Sequence, residues 1–165
     1  MSKSEDNPDM RVLKTATCKS ISGRSSLKYE LGCSSDNAVY LRITNNSASG
    51  QFSPEWVKIE DILKALSKGR KEDPLTSYRL EPLLSGRSVN TPAFIMAALT
   101  NERLLRVLKG KKRGHEFLDP EGFTAKMNKL VSAKATTGVT TKKTVTKKAA
   151  IRKKSMSRRK TSKTD

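Results

Sequence analysis

The C-terminal segment, residues 134–165, constrains what this chain can fold into more than any other feature. It contains 12 basic side chains and one acidic side chain, no aromatic residue, and only seven apolar residues. Because it can bury so little apolar surface, it cannot offset the entropy lost on ordering, and we expect it to be disordered on its own. We call it the basic tail. Residues 1–10 are also polar and expected to be disordered, so any folded domain must come from residues 11–133.

The positive charge of the chain is concentrated in two places. The formal net charge is +18 over 165 residues, and the basic tail carries +11 of it. Six more cations fall within eleven residues that contain no acid, so the rest of the chain is close to neutral. These six are Arg103, Arg106, Lys109, Lys111, Lys112 and Arg113, which we call the basic strip. Concentrated positive charge attracts polyanions, of which nucleic acid is the first to consider.

The N-terminal third of the domain has the pattern of β-strands. Apolar and polar residues alternate over residues 27–33 and again over residues 39–44, which is the period expected of half-buried strands. The intervening segment, Ser34-Ser35-Asp36-Asn37, has the composition of a turn. The sequence therefore predicts an antiparallel hairpin, with a further strand near residues 12–18.

The remainder of the domain has helical patterns. Ser53-Pro54-Glu55 is typical of a helix start and precedes a stripe formed by Trp56, Ile59, Leu63 and Leu66. A short strand over residues 52–57 followed by a helix from Glu60 fits the same residues. Further helices are predicted over residues 75–84, where Pro82 limits the length, over residues 92–101, and over residues 121–133. The fold class is therefore α+β, with an N-terminal antiparallel sheet and a helical second half.

Two structures fit residues 104–118, which include most of the basic strip. In one, the helix over residues 92–101 continues to Lys109 and Gly110 ends it. In the other, residues 104–109 and 115–118 are paired strands closed by a basic turn between Gly110 and Gly114. The hydrophobic pattern fits both, because a short apolar run suits a helix as well as a strand.

Three short helices followed by a basic hairpin resemble the winged-helix branch of the helix-turn-helix DNA-binding proteins. The resemblance covers about residues 54–118, with helices near 59–66, 75–84 and 92–101 and the hairpin at 104–118. It implies that the third helix enters the major groove and that the hairpin is a wing on the DNA backbone or minor groove. The sequence differs from that pattern at one point, since the third helix contains no Lys or Arg.

The basic tail is similar in composition to the tails of linker histones and of bacterial histone-like proteins. Its cations are expected to bind phosphates by counterion release, without reading base sequence. We therefore predict a nucleic-acid-binding protein, with duplex DNA favoured, in a chromosomal or transcription-regulatory role. An RNA-binding protein is one alternative, and a non-catalytic adaptor whose body binds a protein is another. The predicted contacts, besides the basic strip, are Lys142, Lys143, Lys147, Lys148, Arg152, Lys153, Lys154, Arg158, Arg159 and Lys160.

Sequence patterns typical of enzymes and of metal sites are missing. The chain has a single histidine, His115, so it offers neither a hydrolase triad nor a Cys/His zinc pattern, and it has no glycine-rich phosphate loop. We expect no enzymatic activity, no metal and no cofactor, and we expect His115 to lie on the surface. Cys18 and Cys33 are interpreted as small apolar residues on strands.

The sequence also predicts where the protein is located. The first ten residues lack the apolar region of a secretory signal, and the apolar run over residues 94–99 is much shorter than the roughly 20 residues of a membrane span. We expect a cytoplasmic, nucleoid-associated protein without membrane contact, or a nuclear one in a eukaryote.

Overall fold

The protein has an α+β fold with an antiparallel sheet at its N-terminal end, as the sequence predicts. A computed structural model describes residues 9–84, 86, 88–111 and 113–135. The strands and helices follow in chain order. They are β1 Arg11–Lys19, β2 Ser26–Cys33, β3 Val39–Asn46, β4 Val57–Lys58, α1 Ile59–Ser67, a 3-10 helix Ser77–Leu84, α2 Thr91–Asn101, β5 Leu105–Val107, β6 His115–Phe117 and α3 Pro120–Ala135.

The sheet contains four strands in the order β1-β2-β3-β4, and every neighbouring pair is antiparallel. The predicted hairpin is confirmed: Leu31 lies opposite Leu41, so the alternating apolar residues of both strands share one face. Leu27, Tyr29 and Leu31 are fully buried on that face. The register shifts once in each long pairing, between Val12 and Lys14 of β1 and between Lys28 and Tyr29 of β2.

A tryptophan covers part of the opposite face of the sheet. The guanidinium carbon of Arg42 lies 4.4 Å from the centre of the Trp56 ring, which is a cation–π contact. Gly32 makes this contact possible, because a Cβ at that position would lie 2.7 Å from the ring. Arg42 also pairs with Glu30 on the neighbouring strand, with 2.8 Å between Nη2 and Oε2. This face therefore has its own ordered layer outside the main core.

Helix α1 begins later than the capping pattern predicts. A helix start at Ser53 is wrong, and the alternative of a short strand followed by a helix is closer, since β4 is Val57–Lys58 and α1 begins at Ile59. The Ser53 hydroxyl instead accepts a hydrogen bond from the Ser88 amide, and the Ser53 amide donates to Thr91. Ser53 therefore joins two loops, and pairing of Val57 with Leu41 keeps the following residues extended.

The second predicted helix is a 3-10 helix that starts at Ser77 rather than at residue 75. Pro82 lies within it and lacks the amide hydrogen that a regular α-helix would use there, which favours the tighter and shorter form. Leu75 instead forms a bridge with His115, in which each amide donates to the other carbonyl at 2.8 Å. This bridge ties the segment before the 3-10 helix to strand β6.

One hydrophobic cluster joins the sheet to the helices. It includes Leu31 and Leu41 of the sheet, Ile62 of α1, Leu99 of α2 and Phe123 of α3. The last predicted helix is confirmed and extends to Ala135, two residues beyond the predicted end. Helix α3 is therefore part of the same packed body as the sheet.

Candidate nucleic-acid interface

The structure decides between the two alternatives for residues 104–118 in favour of the hairpin. Leu105 pairs with Phe117, Arg106 with Glu116, and Val107 with His115. The turn between the strands is closed by a hydrogen bond of 2.9 Å from the Leu108 amide to the Gly114 carbonyl. The hairpin is thus a defined element of the fold.

Helix α2 ends before the basic strip because of a hydrogen-bonded capping pattern. The Arg103 amide donates to the Thr100 carbonyl at 3.1 Å, and the Leu104 amide donates to the Leu99 carbonyl at 3.1 Å. This is the Schellman arrangement, in which the residue after the cap adopts a left-handed conformation and is usually glycine. Here that residue is Arg103, with φ of 66°. The chain therefore leaves the helix with an arginine at a position where a side chain is strained.

The cations of the basic strip differ in whether they have partners. Arg106 forms an ion pair with Glu116 on the opposite strand of the hairpin. The other described members of the strip are exposed and have no ion-pair partner among residues that the structure describes. These are Arg103, Lys109, Lys111 and Arg113. Lys112 and the ten predicted contact residues of the basic tail lie outside the described residues.

The turn of the hairpin, which contains Lys109, Lys111 and Arg113, is tight and closed by backbone hydrogen bonds. Gly110 has φ of 79°, a conformation that side chains rarely adopt, and the Lys111 amide donates to the Leu108 carbonyl at 3.2 Å. Gly114 is packed against Pro74, with only 3.1 Å between a Cβ built on the glycine and the proline Cβ. The two glycines that the sequence singled out therefore permit a tight turn that rests on the body of the protein.

Helix α2, which corresponds to the third helix of the winged-helix pattern, lies in the core. Its buried residues include Thr91, Ile95, Met96, Ala98 and Leu99. It therefore supplies packing surface beneath the sheet. The resemblance to winged-helix proteins stays a prediction.

A buried carboxylate beside the strip was not found by sequence reasoning. The Glu102 side chain is completely buried, although it follows α2 directly and precedes an exposed arginine. Its Oε1 lies 2.5 Å from Lys14 Nζ and accepts a hydrogen bond of 2.5 Å from the Tyr29 hydroxyl. Its Oε2 lies 2.7 Å from Lys126 Nζ. Glu102 therefore connects α2, β1, β2 and α3.

These contacts change the acid–base properties of the network. Burial alone would raise the pKa of Glu102, but hydrogen bonds from Lys126, Lys14 and Tyr29 outweigh it and hold the pKa below its ordinary value. Burial raises the pKa of Tyr29, and its hydrogen bond to Glu102 raises that pKa further. Burial and the charge of Glu102 also raise the pKa of Cys18, to about 11. At neutral pH the buried Glu102 carboxylate is therefore ionised, whereas the Tyr29 hydroxyl and the Cys18 thiol beside it are protonated.

The expectation that His115 lies on the surface is wrong. Only 1% of the residue is exposed, because β6 pairs with both β5 and the Leu75 segment. Neither ring nitrogen has a hydrogen-bond partner among the residues that the structure describes. Burial disfavours the charged ring and lowers the pKa of His115, so the imidazole is neutral at pH 7.

Comparisons with protein-family models, with curated proteins and with solved structures give no match to this chain. Over the described ranges, no helix combines the length and apolar character that crossing a membrane requires. In the same part of the chain, His, Cys, Asp and Glu side chains do not gather in a group of three or more that could hold a metal ion.

Proposed function

We propose that this protein binds nucleic acid, most favourably duplex DNA, through the basic strip on the β5–β6 hairpin. The observation that carries the proposal is a set of four exposed cations on and beside one hairpin, with no carboxylate partner in the described chain. They are Arg103, Lys109, Lys111 and Arg113. An isolated group of unpaired cations is costly for a folded protein, because like charges repel, and phosphates at close spacing remove that cost.

The strain at Arg103 supports the same function. Glycine would fit its left-handed conformation without strain, whereas a residue with a Cβ costs on the order of 1–2 kcal/mol there. Unfavourable backbone conformations are concentrated at functional sites, where the side chain does something that glycine cannot. A phosphate contact by the Arg103 guanidinium would account for an arginine at this position.

The basic tail extends the proposed interface. It carries +11 of the net charge and begins within α3, and two residues separate the start of that helix from the end of strand β6. Cations of this kind bind any duplex, so the tail would supply affinity and the hairpin would position the duplex on the body. We therefore propose a chromosomal or transcription-regulatory protein located on the nucleoid, or on nuclear chromatin in a eukaryote.

The experiment measures binding of the full chain to a duplex of random sequence at several salt concentrations. Each phosphate contact contributes a slope of about 0.9 in a plot of log affinity against log salt. A variant with Arg103, Lys109, Lys111 and Arg113 all changed to Gln is expected to reduce that slope by about three to four. A second full-length variant, with the ten predicted tail contacts changed to Gln, measures how much of the salt slope comes from the tail.

The matched control removes the same charge elsewhere. Arg24, Lys28, Lys68 and Lys129 are exposed and lie outside the hairpin, so changing these four to Gln lowers the net charge equally. The control is expected to retain most of the slope. The proposal fails if the control and the hairpin variant lose equal affinity, since charge alone would then explain binding. Competition with duplex RNA of equal length tests the preference for DNA.

A further inference from the structure

A cavity lies behind the proposed interface, between the β5–β6 hairpin and the segment that joins α1 to the 3-10 helix. Its volume is about 480 Å³, within the roughly 300–1,000 Å³ typical of small-molecule sites. Leu66 and Leu75 line one side, and Leu108 and Phe117 of the hairpin region line the other. Phe117 belongs to β6, so a ligand in this cavity would contact the hairpin directly.

His115 lines the same cavity and lacks a hydrogen-bond partner that it needs. A neutral imidazole has one N–H donor and one acceptor nitrogen. The backbone groups near the ring are the carbonyls of Arg113 and Leu75, and a carbonyl can only accept a hydrogen bond. The acceptor nitrogen therefore requires a donor from elsewhere, and leaving it unpaired costs on the order of 1–3 kcal/mol. A ligand that presents an N–H group would recover that cost.

The exposed part of the cavity lining has charges of both signs on four consecutive residues. Arg70 and Lys71 are exposed and line it, as do Glu72 and Asp73, and none of the four has an ion-pair partner in the described chain. Cations of this kind suit a phosphate, whereas the carboxylates suit amino or ring N–H donors. The apolar walls suit a flat ring. A ligand that satisfies all these groups carries a phosphate, an apolar ring and N–H donors together.

We propose that this cavity binds a nucleotide, with its base against the apolar walls and within reach of His115 and its phosphate toward Arg70 and Lys71. Every nucleobase found in nucleic acids has a flat face and offers an N–H or amino donor when it is unpaired. Phe117 supplies an aromatic ring for a base, which the basic tail lacks. The source is either a free nucleotide or an unpaired base of a bound strand, and only the second rests on the proposed function.

The test uses the full chain and the single histidine. Because His115 is the only histidine, its ring signals in NMR spectra need no further assignment. Titration with 5′-AMP, GMP, CMP and UMP is expected to move these signals saturably for at least one of the four. Ribose 5-phosphate and inorganic phosphate, which lack the base, are expected to leave them in place. The proposal is overturned if no nucleotide moves them at millimolar concentration, or if ribose 5-phosphate moves them equally.

Variants separate the parts of the site. His115→Leu is expected to weaken binding of the preferred nucleotide at least tenfold in calorimetry, which corresponds to about 1.4 kcal/mol. Arg70→Gln with Lys71→Gln is expected to weaken it as well, whereas the remote pair Arg24→Gln with Lys28→Gln is not. Equal loss from the two pairs would overturn the placement of the phosphate. If His115→Leu unfolds the protein, the nucleotide titration of the unsubstituted chain, followed by the His115 ring signals, still tests whether the cavity binds a nucleotide.

A last comparison shows whether the base comes from a free nucleotide or from a bound strand. It also separates failure of the cavity proposal from failure of the proposed function. A duplex with an unpaired 3′ overhang is compared with a blunt duplex of equal charge. If a strand supplies the base, the overhang binds more tightly and moves the His115 signals, whereas a free-nucleotide site responds to mononucleotides alone. Failure of the blunt duplex to bind contradicts the proposed function. Failure of all four mononucleotides to move the His115 signals contradicts the cavity proposal, whatever the blunt duplex does.

Discussion

The carboxylate of Glu102 accepts a hydrogen bond of 2.5 Å from the hydroxyl of Tyr29, a residue 73 positions earlier in the chain. Asn101, the residue before the glutamate, donates a second hydrogen bond of 2.8 Å to the same hydroxyl. The end of α2 is thereby fixed to the centre of the sheet. Because Arg103 follows immediately, this polar contact sets the point where the basic strip leaves the body.

Glu102→Gln is expected to lower the free energy of unfolding by roughly 2 kcal/mol. The amide keeps the size of the side chain but removes the anion that two lysines and a tyrosine share. Lys14 and Lys126 are partly exposed and can turn toward water, which limits the loss. Urea denaturation measures the effect. Glu60→Gln is the matched control, since Glu60 also pairs with two lysines but is exposed, and it should change stability little.

The same carboxylate predicts a loss of stability in acid. The pKa of Glu102 in the folded protein lies below its ordinary value of 4.5, so the unfolded chain takes up this proton first as pH falls. Its stabilising contribution is therefore present above about pH 4.5 and is lost as pH falls from there through the folded pKa. Urea denaturation of the wild type and of Glu102→Gln between pH 6 and pH 3 should show a stability difference that narrows in acid. A constant difference would contradict this assignment.

Arg103→Gly is expected to affect stability and binding in opposite directions. Glycine relieves the left-handed strain, although its greater freedom in the unfolded chain offsets part of the gain, so the net stabilisation is roughly 0.5–1 kcal/mol. Duplex affinity should fall with the loss of one phosphate contact. Arg103→Ala retains the strain and should weaken binding without stabilising the fold. Thermal denaturation and salt-dependent binding distinguish the two variants, and equal stability of both would contradict the strain argument.

Glu116→Gln is expected to strengthen duplex binding. Glu116 is paired with Arg106 across the hairpin, so its neutralisation releases one more cation for a phosphate. The salt slope should steepen by up to about 0.9. Asp61→Asn removes an exposed acid of α1 and gives the same change in net charge at a distance from the hairpin. If both variants strengthen binding equally, net charge rather than Arg106 is responsible.

Local periodicity was sufficient to predict the sheet but not the elements that depend on distant partners. Alternation over residues 27–33 and 39–44 predicts β2 and β3, because a half-buried strand exposes every second side chain. Ser53 has the local features of a helix cap, yet its amide and hydroxyl are bonded to Thr91 and Ser88 instead. No residue near Ser53 in sequence indicates those partners.

The residues of the candidate site also differ in whether local sequence predicts them. The cations of the basic strip are visible in the sequence because charge density is a local property. Glu102 stands among charged and polar residues and has no local sign of burial, since its partners come from three other elements. His115 likewise follows a basic turn and is buried only because β6 pairs on both sides. The position of Glu102 directly after the apolar helix α2 is the one feature of the sequence that distinguishes it from the other acids.

Helix α3 separates two cationic groups along the chain, the β5–β6 hairpin and the basic tail. Its 16 residues span about 24 Å at a rise of 1.5 Å per residue. The helix contacts β1, and its Phe123 and Met127 are buried in the core. The hairpin precedes the N-terminus of α3, and the basic tail starts at its C-terminus. On a duplex this span is about seven base pairs. Once one group has bound a duplex the other is held close to it, so the two contacts of the proposed interface would reinforce each other.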